Sequence, residues 1–397
     1  MRFVVESLGL TLTGGKELSL NLLARFANHP EHEFVLLLPD LPEYAALRGA
    51  NLNLKVFPKP PGLLKRYWFL NRTVPKICSE QRADGLLCMG NFPPRNPPCP
   101  TVVLFHKPSL VYREPVLREH LTLREKLILG YGKYACWRLL PRFPVIVQTQ
   151  VVRERLTRLY GLDPGKVVVV PNSCPFSLDG NGSFAGKRPA PQSGFGAPGR
   201  SDASRPFTFV CISWYFPYKN IEILAEALKH LPAYTRKPAR CVINISADQH
   251  PRARKLLQRI AGDAFGEQMM SLGWIPSREA LAEVYRSADA YIFPSLMETF
   301  SFTYLEAMRF GLPILTSDRD FARDRCQDAA LYFDPLDPKS VARSMARIIE
   351  DQDLRVRLVE NGQRIVRQIP TWDEIAARFV EVLERAAAGP GFPAPQA

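Results

Sequence analysis

Residues 290–317 read AYIFPSLMETFSFTYLEAMRFGLPILTS, and this stretch predicts the local fold. It begins with an apolar run typical of a buried strand, which ends at Ser295. A loop containing Glu298 follows, then a segment of helical spacing that contains Glu306, and a Gly-Leu-Pro turn leads into another apolar run. Strand, loop, helix and strand in this order indicate a parallel sheet covered by helices.

The same alternation extends along the chain in two series. Predicted strands of the first series are Phe3–Val5, Phe34–Leu38, Gly85–Met89, Thr101–Phe105, Val145–Val147 and Val167–Val170. Predicted strands of the second series are Phe207–Ile212, Cys241–Ser246, Met269–Leu272, Ala290–Phe293 and Pro313–Thr316. Segments of helical periodicity lie between many of these strands. We therefore predict an α/β protein with two Rossmann-like, doubly wound domains.

A change of composition separates the two series. Residues 177–205 are rich in Gly, Ser, Pro and Ala and contain few large apolar side chains, which predicts a flexible linker. The predicted organisation is a first domain at 1–176, the linker at 177–205, a second domain at 206–370, a helix at 371–388 that packs back across the domains, and a disordered tail at 389–397. Ligands bind at the carboxyl ends of parallel strands, so two such sheets predict a central cleft.

The net charge of +13 is unevenly distributed. Residues 55–142 contain 16 Lys and Arg against five Asp and Glu. A basic surface of this kind suits nucleic acid, a phospholipid surface or a phosphorylated acceptor. Nucleic-acid binding is the weaker of these alternatives, because the sequence contains no recognised reader motif. We expect no nucleic-acid partner.

Two further observations concern the compartment. No apolar run approaches the roughly 20 residues that span a bilayer, and the first residues lack the pattern of a signal peptide. The eight cysteines are scattered without a Cys-x-x-Cys pair, which favours reduced thiols over a disulfide framework or a zinc site. We expect a cytoplasmic protein without a bound metal.

The loop and helix start within 290–317 suggest a site for an anion and hydroxyl groups. The amides of Phe300 and Ser301 are predicted at a helix N-terminus, where free N–H donors and the helix dipole favour a group such as diphosphate. Carboxylates accept hydrogen bonds from vicinal hydroxyls. Glu298 and Glu306 could therefore hold a sugar on one side and a ribose on the other, although most glutamates in such positions are simply solvated.

The stretch from Glu298 to Glu306 resembles the E-x7-E motif of family 4 of the retaining glycosyltransferases, which have the GT-B fold. Further similarity lies at 213–221 (SWYFPYKNI), 271–274 (SLGW), 285–290 (YRSADA) and 329–335 (AALYFDP). The resemblance covers roughly residues 207–385 and is looser over the first domain, which corresponds to the acceptor side.

The resemblance implies roles for particular residues. The lysine of 213–221, Lys219, contacts the donor diphosphate, and the turn after 271–272 receives the nucleobase. The implied catalytic residues are Glu298, His106 and Lys219. The implied donor-binding residues are Gly14, Gly15, Lys219, Gly273, Trp274, Glu298, Thr299, Phe300, Ser301 and Glu306.

The sequence departs from the family pattern at two places. The family commonly has an arginine five residues before the lysine, on the diphosphate, whereas this chain has Trp214. Thr299 and Ser301 stand where glycines are frequent, a change that backbone N–H donation tolerates. The departure at Trp214 keeps open a GT-B nucleotide-sugar epimerase or a non-catalytic sugar-nucleotide binder as alternatives.

The resemblance implies a metal-independent, retaining hexosyltransferase that needs no cofactor beyond its nucleotide-sugar co-substrate. Its acceptor would be a glycan or a lipid-linked glycan, as in polysaccharide biosynthesis. Residues 59–70 (KPPGLLKRYWFL) mix cations with aromatic and aliphatic side chains that look exposed. This mixture suggests peripheral docking on an anionic membrane, at its inner face. The alternative for this stretch is a basic surface over an ordinary domain core.

Overall fold

The computed structural model describes residues 1–58, 62–113, 121–176, 205–262 and 268–389. The chain divides into two compact units, Met1–Ser173 with Pro370–Ala397, and Cys174–Ile369. The unit boundaries lie within three residues of the predicted domain ends at 176 and 370. Most of the predicted linker (177–204) and of the predicted tail (390–397) lies outside the described residues.

The first unit contains a parallel sheet, which in the described residues has seven strands in the order β3-β2-β1-β4-β5-β6-β7. The strands are β1 (Arg2–Glu6), β2 (Glu33–Pro39), β3 (Leu52–Phe57), β4 (Gly85–Cys88), β5 (Thr101–Leu104), β6 (Val145–Val147) and β7 (Val167–Val169). The central strands are almost continuously buried, as expected for a parallel sheet covered on both faces. Chain order reverses between β1 and β4, which makes this pair the switch point of the sheet.

The helices of the first unit connect and cover these strands. They are α1 (Thr13–Arg25), α2 (Gly62–Trp68), α3 (Val74–Glu80), α4 (Leu123–Leu139) and α5 (Gln150–Tyr160). Five residues in π-helical geometry, Phe69–Thr73, join α2 to α3. A Thr-x-x-Glu capping box begins α4, in which Thr122 and Glu125 satisfy each other's backbone amides.

The second unit contains a parallel sheet with six described strands in the order β10-β9-β8-β11-β12-β13. The strands are β8 (Phe207–Cys211), β9 (Ala239–Ile243), β10 (Met269–Ser271), β11 (Ala290–Phe293), β12 (Ile314–Ser317) and β13 (Ala330–Phe333). The helices are α6 (Glu222–His230), α7 (Pro251–Gly262), α8 (Arg278–Ser287), α9 (Phe302–Arg309), α10 (Asp320–Cys326), α11 (Pro338–Glu350) and α12 (Gln352–Arg367). Here the switch point lies between β8 and β11.

The last helix, α13 (Trp372–Ala387), belongs to the first unit. It packs against α1 and against strands β4 and β5. A capping box of Thr371 and Glu374 fixes its start. Its apolar face, which includes Ile375, Phe379 and Leu383, is buried. The chain therefore returns to the first sheet after completing the second.

The basic stretch predicted to be exposed contains two residues that pack against the core. Residues 59–61 lie outside the described residues. Phe69 and Leu70 pack against the apolar core between β1, β2 and α3, and Phe69 makes an edge contact with Phe57. Trp68 is exposed. The prediction of an exposed aromatic surface here was wrong for Phe69 and Leu70, because helical spacing turns them towards the sheet.

All eight cysteines have free thiols, and all but the half-buried Cys99 are buried. They pack as small apolar side chains. No helix in the described parts of the chain is both long and apolar enough to cross a membrane.

Candidate active site

The loops that follow β8 and β11 meet at the switch point of the second sheet. The amide of Leu296, after β11, donates to the carbonyl of Tyr218, after β8, at 2.8 Å. The β8 loop tightens into a short 3-10 turn, Pro217–Lys219, and ends at Asn220 with a positive φ of 55°. The Asn220 side chain donates to the Pro335 carbonyl at 2.7 Å. These bonds hold Lys219 at the carboxyl edge of the sheet.

Lys219 and Glu298 form a buried ion pair at this edge. Lys219 Nζ lies 2.6 Å from Glu298 Oε1, with side-chain exposures of 13% and 8%. Ser295 Oγ donates to the same carboxylate oxygen at 2.7 Å. The ammonium group also lies 4.9 Å from the centre of the Phe293 ring. The low exposure strengthens these charge-assisted bonds and makes loss of either partner costly.

Helix α9 begins directly after this carboxylate. Ser301 is its N-cap residue, and Ser301 Oγ is 2.9 Å from Thr303 Oγ1. The first amides of the helix therefore belong to Phe302 and Thr303, whereas the sequence predicted Phe300 and Ser301. The difference arises because Ser301 has an extended backbone (φ −117°, ψ 114°). The start of the helix lies slightly further along the chain than predicted, still within five residues of Glu298.

Glu306 lies on α9 among different partners. Its Oε2 accepts a hydrogen bond from the Tyr285 hydroxyl at 2.6 Å, and 6% of the residue is exposed. Burial, with the nearby Glu306 charge, raises the pKa of Tyr285 well above its usual value. The structure thus brings Lys219 and Glu298 together, and holds Glu306 in a separate, buried contact with α8.

The predicted nucleobase turn follows β10. Gly273 has a φ of +66°, the left-handed conformation that favours glycine. Trp274 is 58% exposed, and its ring lies 6.3 Å from the ring of Trp214 in an edge-to-face arrangement. The residue that replaces the expected arginine therefore extends an aromatic surface next to this turn. In the sequence, a Ser-Trp pair after β8 and a Gly-Trp pair after β10 indicate this aromatic surface, because both strands belong to the same sheet.

The remaining candidates lie in the first unit. Gly14 and Gly15 form the first turn of α1, and a Cβ on Gly15 would approach Leu10 Cδ2 to 3.1 Å. His106 follows β5 and is half-buried. Its amide donates to Asn91 Oδ1 at 2.7 Å, and its Nε2 lies 3.0 Å from the Met89 carbonyl. Burial lowers the pKa of His106 to about 4, so the imidazole is neutral at pH 7.

Two residues of this site were not predicted. Ser295 positions Glu298 through a hydrogen bond, and Tyr285 does the same for Glu306. Both residues precede Glu298 in the chain and therefore lie outside the E-x7-E segment. Their roles depend on how α8, β11 and α9 pack, which a linear pattern does not reveal.

Two family models match the chain. One, described as glycosyl transferases group 1, matches residues 200–365, and the other, described as glycosyltransferase family 4, matches residues 13–175. An uncharacterized glycosyltransferase of Methanocaldococcus jannaschii is 27% identical over 60% of this chain and 59% of its own length. A D-inositol 3-phosphate glycosyltransferase of Xylanimonas cellulosilytica is 27% identical over 61% of this chain and 57% of its own. The matches therefore span less than two thirds of these relatives.

Solved structures resemble the chain over almost its whole length. Sucrose-phosphate synthase of Thermosynechococcus elongatus has a TM-score of 0.72 at 15% identity and covers 98% of this chain and 99% of its own. HepE of Anabaena, in complex with UDP-glucose, has a TM-score of 0.68 at 17% identity over 97% and 99%. At such identities the likeness concerns the fold. Together with the two models, which match most of both units, it shows that this chain has the GT-B fold and belongs to the family 4, group 1 glycosyltransferases.

Proposed function

We propose that this protein is a retaining glycosyltransferase that moves a hexose-type sugar from a nucleotide-diphosphate sugar to a glycan or lipid-linked acceptor. The observation that carries the proposal is the buried Lys219–Glu298 pair beside the start of α9. It combines a cation and helix amides for a diphosphate with a carboxylate for sugar hydroxyls. HepE, which shares the fold, was solved with UDP-glucose, and this supports a nucleotide-sugar donor.

In the proposed mechanism the diphosphate competes with Glu298 for Lys219. The ammonium group turns to the phosphate oxygens, while Ser295 keeps Glu298 in place to accept hydrogen bonds from the sugar. The bond from the anomeric carbon to the phosphate oxygen breaks, and a bond from the acceptor oxygen forms on the same face. The acceptor proton passes to the departing phosphate oxygen. Lys219 and the α9 dipole stabilise the negative charge that develops there.

Glu306 and the Trp274 turn are assigned to the nucleoside. In this proposal Glu306, whose carboxylate is held by the Tyr285 hydroxyl, accepts hydrogen bonds from the two ribose hydroxyls. The exposed Trp274, backed by Trp214, offers a flat surface to a base. Among alanine variants of the proposed donor-binding residues, Glu306→Ala should show the largest loss of affinity for free UDP, measured by calorimetry.

Arg325, on α10, is a candidate for the second cation on the diphosphate. Its guanidinium carbon lies 4.5 Å from the centre of the Phe300 ring, and its Nε has no hydrogen-bond partner in the described residues. An unused guanidinium N–H can donate to a phosphate oxygen. We expect Arg325→Met to weaken UDP binding by about tenfold. Arg323→Met is the control, because Arg323 is exposed and pairs with Asp318.

Direct assays separate this proposal from its alternatives. The protein is incubated with a panel of nucleotide sugars, with EDTA present, and nucleotide release is followed by chromatography. A transferase releases nucleotide, and slow donor hydrolysis is expected even without an acceptor. An epimerase would convert the donor sugar without release, and a simple binder would do neither. The anomeric configuration of any product, read by NMR, tests retention, and loss of activity in EDTA would contradict metal independence.

We also propose peripheral docking on an anionic bilayer through one face of α4. Five large apolar side chains, spaced three or four residues apart, are each more than half exposed. They are Leu123, Leu127, Tyr131, Tyr134 and Trp137. Such spacing places them on one helix face. An exposed apolar stripe with aromatic side chains is typical of a helix that lies in a membrane interface.

The charges beside this stripe determine its partner. Arg124, Lys126, Lys133 and Arg138 lie on its two sides. The one acid of the helix, Glu125, is engaged in the N-terminal capping box. A second copy of the same face would bring like charges together, whereas anionic lipid headgroups complement them.

Sedimentation with vesicles tests the docking proposal. We expect binding to vesicles of 70% phosphatidylcholine and 30% phosphatidylglycerol and little binding to pure phosphatidylcholine. Leu127→Glu should reduce binding at least tenfold, because an apolar contact is lost and a repulsive charge is added. Val356→Glu, at an isolated exposed apolar position, is the matched control. Equal binding to both kinds of vesicle, or binding to neither, would overturn the proposal. A dimer in solution that dissociates in Leu127→Glu would overturn it as well.

A further inference from the structure

The carboxyl edge of the first sheet contains a polar group that the proposed donor chemistry does not use. Glu6 is the last residue of β1, and Gly90 lies two residues beyond the end of β4. These neighbouring strands form the switch point of the sheet, where loops diverge and leave room for ligands. The side chains at this point therefore have the placement of a binding site.

Glu6 is buried there with half of its carboxylate unsatisfied. The residue is 3% exposed. Its Oε1 accepts a hydrogen bond from the Leu8 amide at 3.1 Å, whereas Oε2 has no hydrogen-bond partner among the described residues. Burial raises the pKa of Glu6, and the Arg66 charge opposes that shift. A buried polar oxygen without a partner costs stability, which a ligand can recover.

Arg66, from α2, reaches the same point between two glycines. A Cβ on Gly9 would lie 2.2 Å from Arg66 Nη2. A Cβ on Gly90 would lie 2.5 Å from that nitrogen and 3.1 Å from Glu6 Oε2. A Cβ at either position would therefore push the guanidinium aside. The guanidinium and the carboxylate oxygen thus flank one backbone position without being hydrogen-bonded to each other. We call the cluster of Glu6, Gly9, Arg66 and Gly90 the glycine notch.

The chemistry of the notch matches a hydroxyl group. A guanidinium only donates hydrogen bonds, and a carboxylate only accepts them. A bare anion would be opposed by Glu6, and an ammonium group would be opposed by Arg66. A hydroxyl accepts from Arg66 and donates to Glu6, so one group can satisfy both. Burial lowers the pKa of both His106 and Lys107, and the nearby Arg66 charge lowers each of them further.

We propose that the glycine notch binds a hydroxyl group of the acceptor, which is accordingly a sugar ring or cyclic polyol. Arg66 and Glu6 act as specificity-determining residues that orient the ring and take no part in bond breaking. The assignment as an acceptor site rests on the proposed glycosyl transfer. Binding of a polyol in the notch does not, and it can be measured without a donor.

Saturation-transfer-difference NMR tests the notch directly. The probes are D-glucose, D-mannose, D-galactose and myo-inositol, each at 10 mM, with the full chain and no nucleotide. Wild type should transfer saturation to at least one probe. Gly90→Ala should reduce the signal at least fivefold, because its methyl group would push the Arg66 guanidinium away from its place beside Glu6, although both charges remain in the chain. Gly262→Ala, where a Cβ meets open space, should leave it unchanged.

Two charge variants strengthen the test. Arg66→Met should lose the signal, and Lys65→Ala, which removes the exposed neighbouring cation, should keep it. Absence of a signal for all four probes in wild type would overturn the proposal. A signal that survives Gly90→Ala and Arg66→Met but disappears in Glu298→Gln would overturn it as well, because the sugar would then occupy the second unit.

The proposed function is checked separately on the same samples. UDP binding by calorimetry should be equal in wild type and Gly90→Ala. If no nucleotide or nucleotide sugar binds to wild type, the transferase proposal fails, and the NMR result on the notch still stands. If transfer is observed, Gly90→Ala should raise the KM for the acceptor far more than it lowers the rate of donor hydrolysis.

Discussion

The buried glutamates at the carboxyl edges of the two sheets differ in how far their hydrogen-bonding capacity is satisfied. In the second unit, Glu298 is satisfied by Lys219 and Ser295. In the first unit, Glu6 retains a buried oxygen beside Arg66 to which no group in the described part of the chain donates a hydrogen bond. A ligand of the second edge must exchange with an internal ion pair, whereas a ligand of the first edge completes bonds that the fold leaves open. In the second unit, ligand binding must therefore break the Lys219–Glu298 pair. In the first unit it adds hydrogen bonds to Glu6 without breaking any, which favours ligands that have a group able to form them.

The largest expected effect is the loss of transfer activity when Glu298 is replaced. We expect Glu298→Ala to reduce transfer by roughly 10³-fold, since both the sugar contact and the partner of Lys219 disappear. The measurement is nucleotide release at saturating donor, with circular dichroism to show that the fold persists. Glu283→Ala, an exposed glutamate on α8, should retain full activity. Turnover of Glu298→Ala near the wild-type level would remove Glu298 from the site.

The stability of the ion pair provides the second test. Lys219→Met and Glu298→Leu should each lower the free energy of unfolding by about 3 kcal/mol, because each leaves one buried charge unpaired. The double variant should recover much of that loss, since no charge then remains buried. Urea unfolding of the four proteins gives the coupling energy directly. Additive losses would mean that the two groups do not depend on each other, and the contrast with the first unit would fail.

Sequence patterns predicted the second edge better than the first. Glu298 and Glu306 belong to one β-α-β unit, β11-α9-β12, so local sequence fixes their spacing. Lys219 follows β8 and was found through its own short segment, 213–221. Strand β3 was missed because Leu52–Phe57 mixes half-buried and exposed residues at the edge of the sheet and lacks a continuous apolar run.

The glycine notch was missed for a different reason. Glu6, Arg66 and Gly90 are far apart in sequence and meet only once the strands are ordered and α2 is placed. Neither an isolated glutamate at a strand end nor an arginine in a basic stretch signals that meeting. Long-range contacts of this kind depend on tertiary packing, which a linear pattern does not encode.

The histidine of the first edge gives a pH test of the same contrast. Burial lowers the pKa of His106 to about 4, below its unfolded value of 6.5. Between these values the unfolded chain binds the proton more tightly, so stability rises as pH increases from 4 to 6.5 and levels off above. We expect the stability difference between wild type and His106→Gln to grow by about 2 to 3 kcal/mol across this range.

Urea titrations of both proteins at several pH values measure this difference, in which the other titrating groups cancel. A flat difference for His106→Gln would show that the imidazole is as easily protonated in the folded protein as in the unfolded chain. The first edge would then be less desolvated than its contacts imply.

The smallest expected effect is that of Glu6→Gln. Glu6→Gln keeps an oxygen for the Leu8 amide and removes a charge that burial disfavours. Since the folded pKa of Glu6 is raised, the charged form is a liability at pH 7, and the amide should change stability by less than about 1 kcal/mol or increase it. Glu298→Gln, the same substitution in the second unit, should instead destabilise, because Lys219 loses its counter-charge. Equal losses in the two variants, measured by urea unfolding at pH 7, would mean that Glu6 is as well paired as Glu298 and that no ligand is needed to satisfy it.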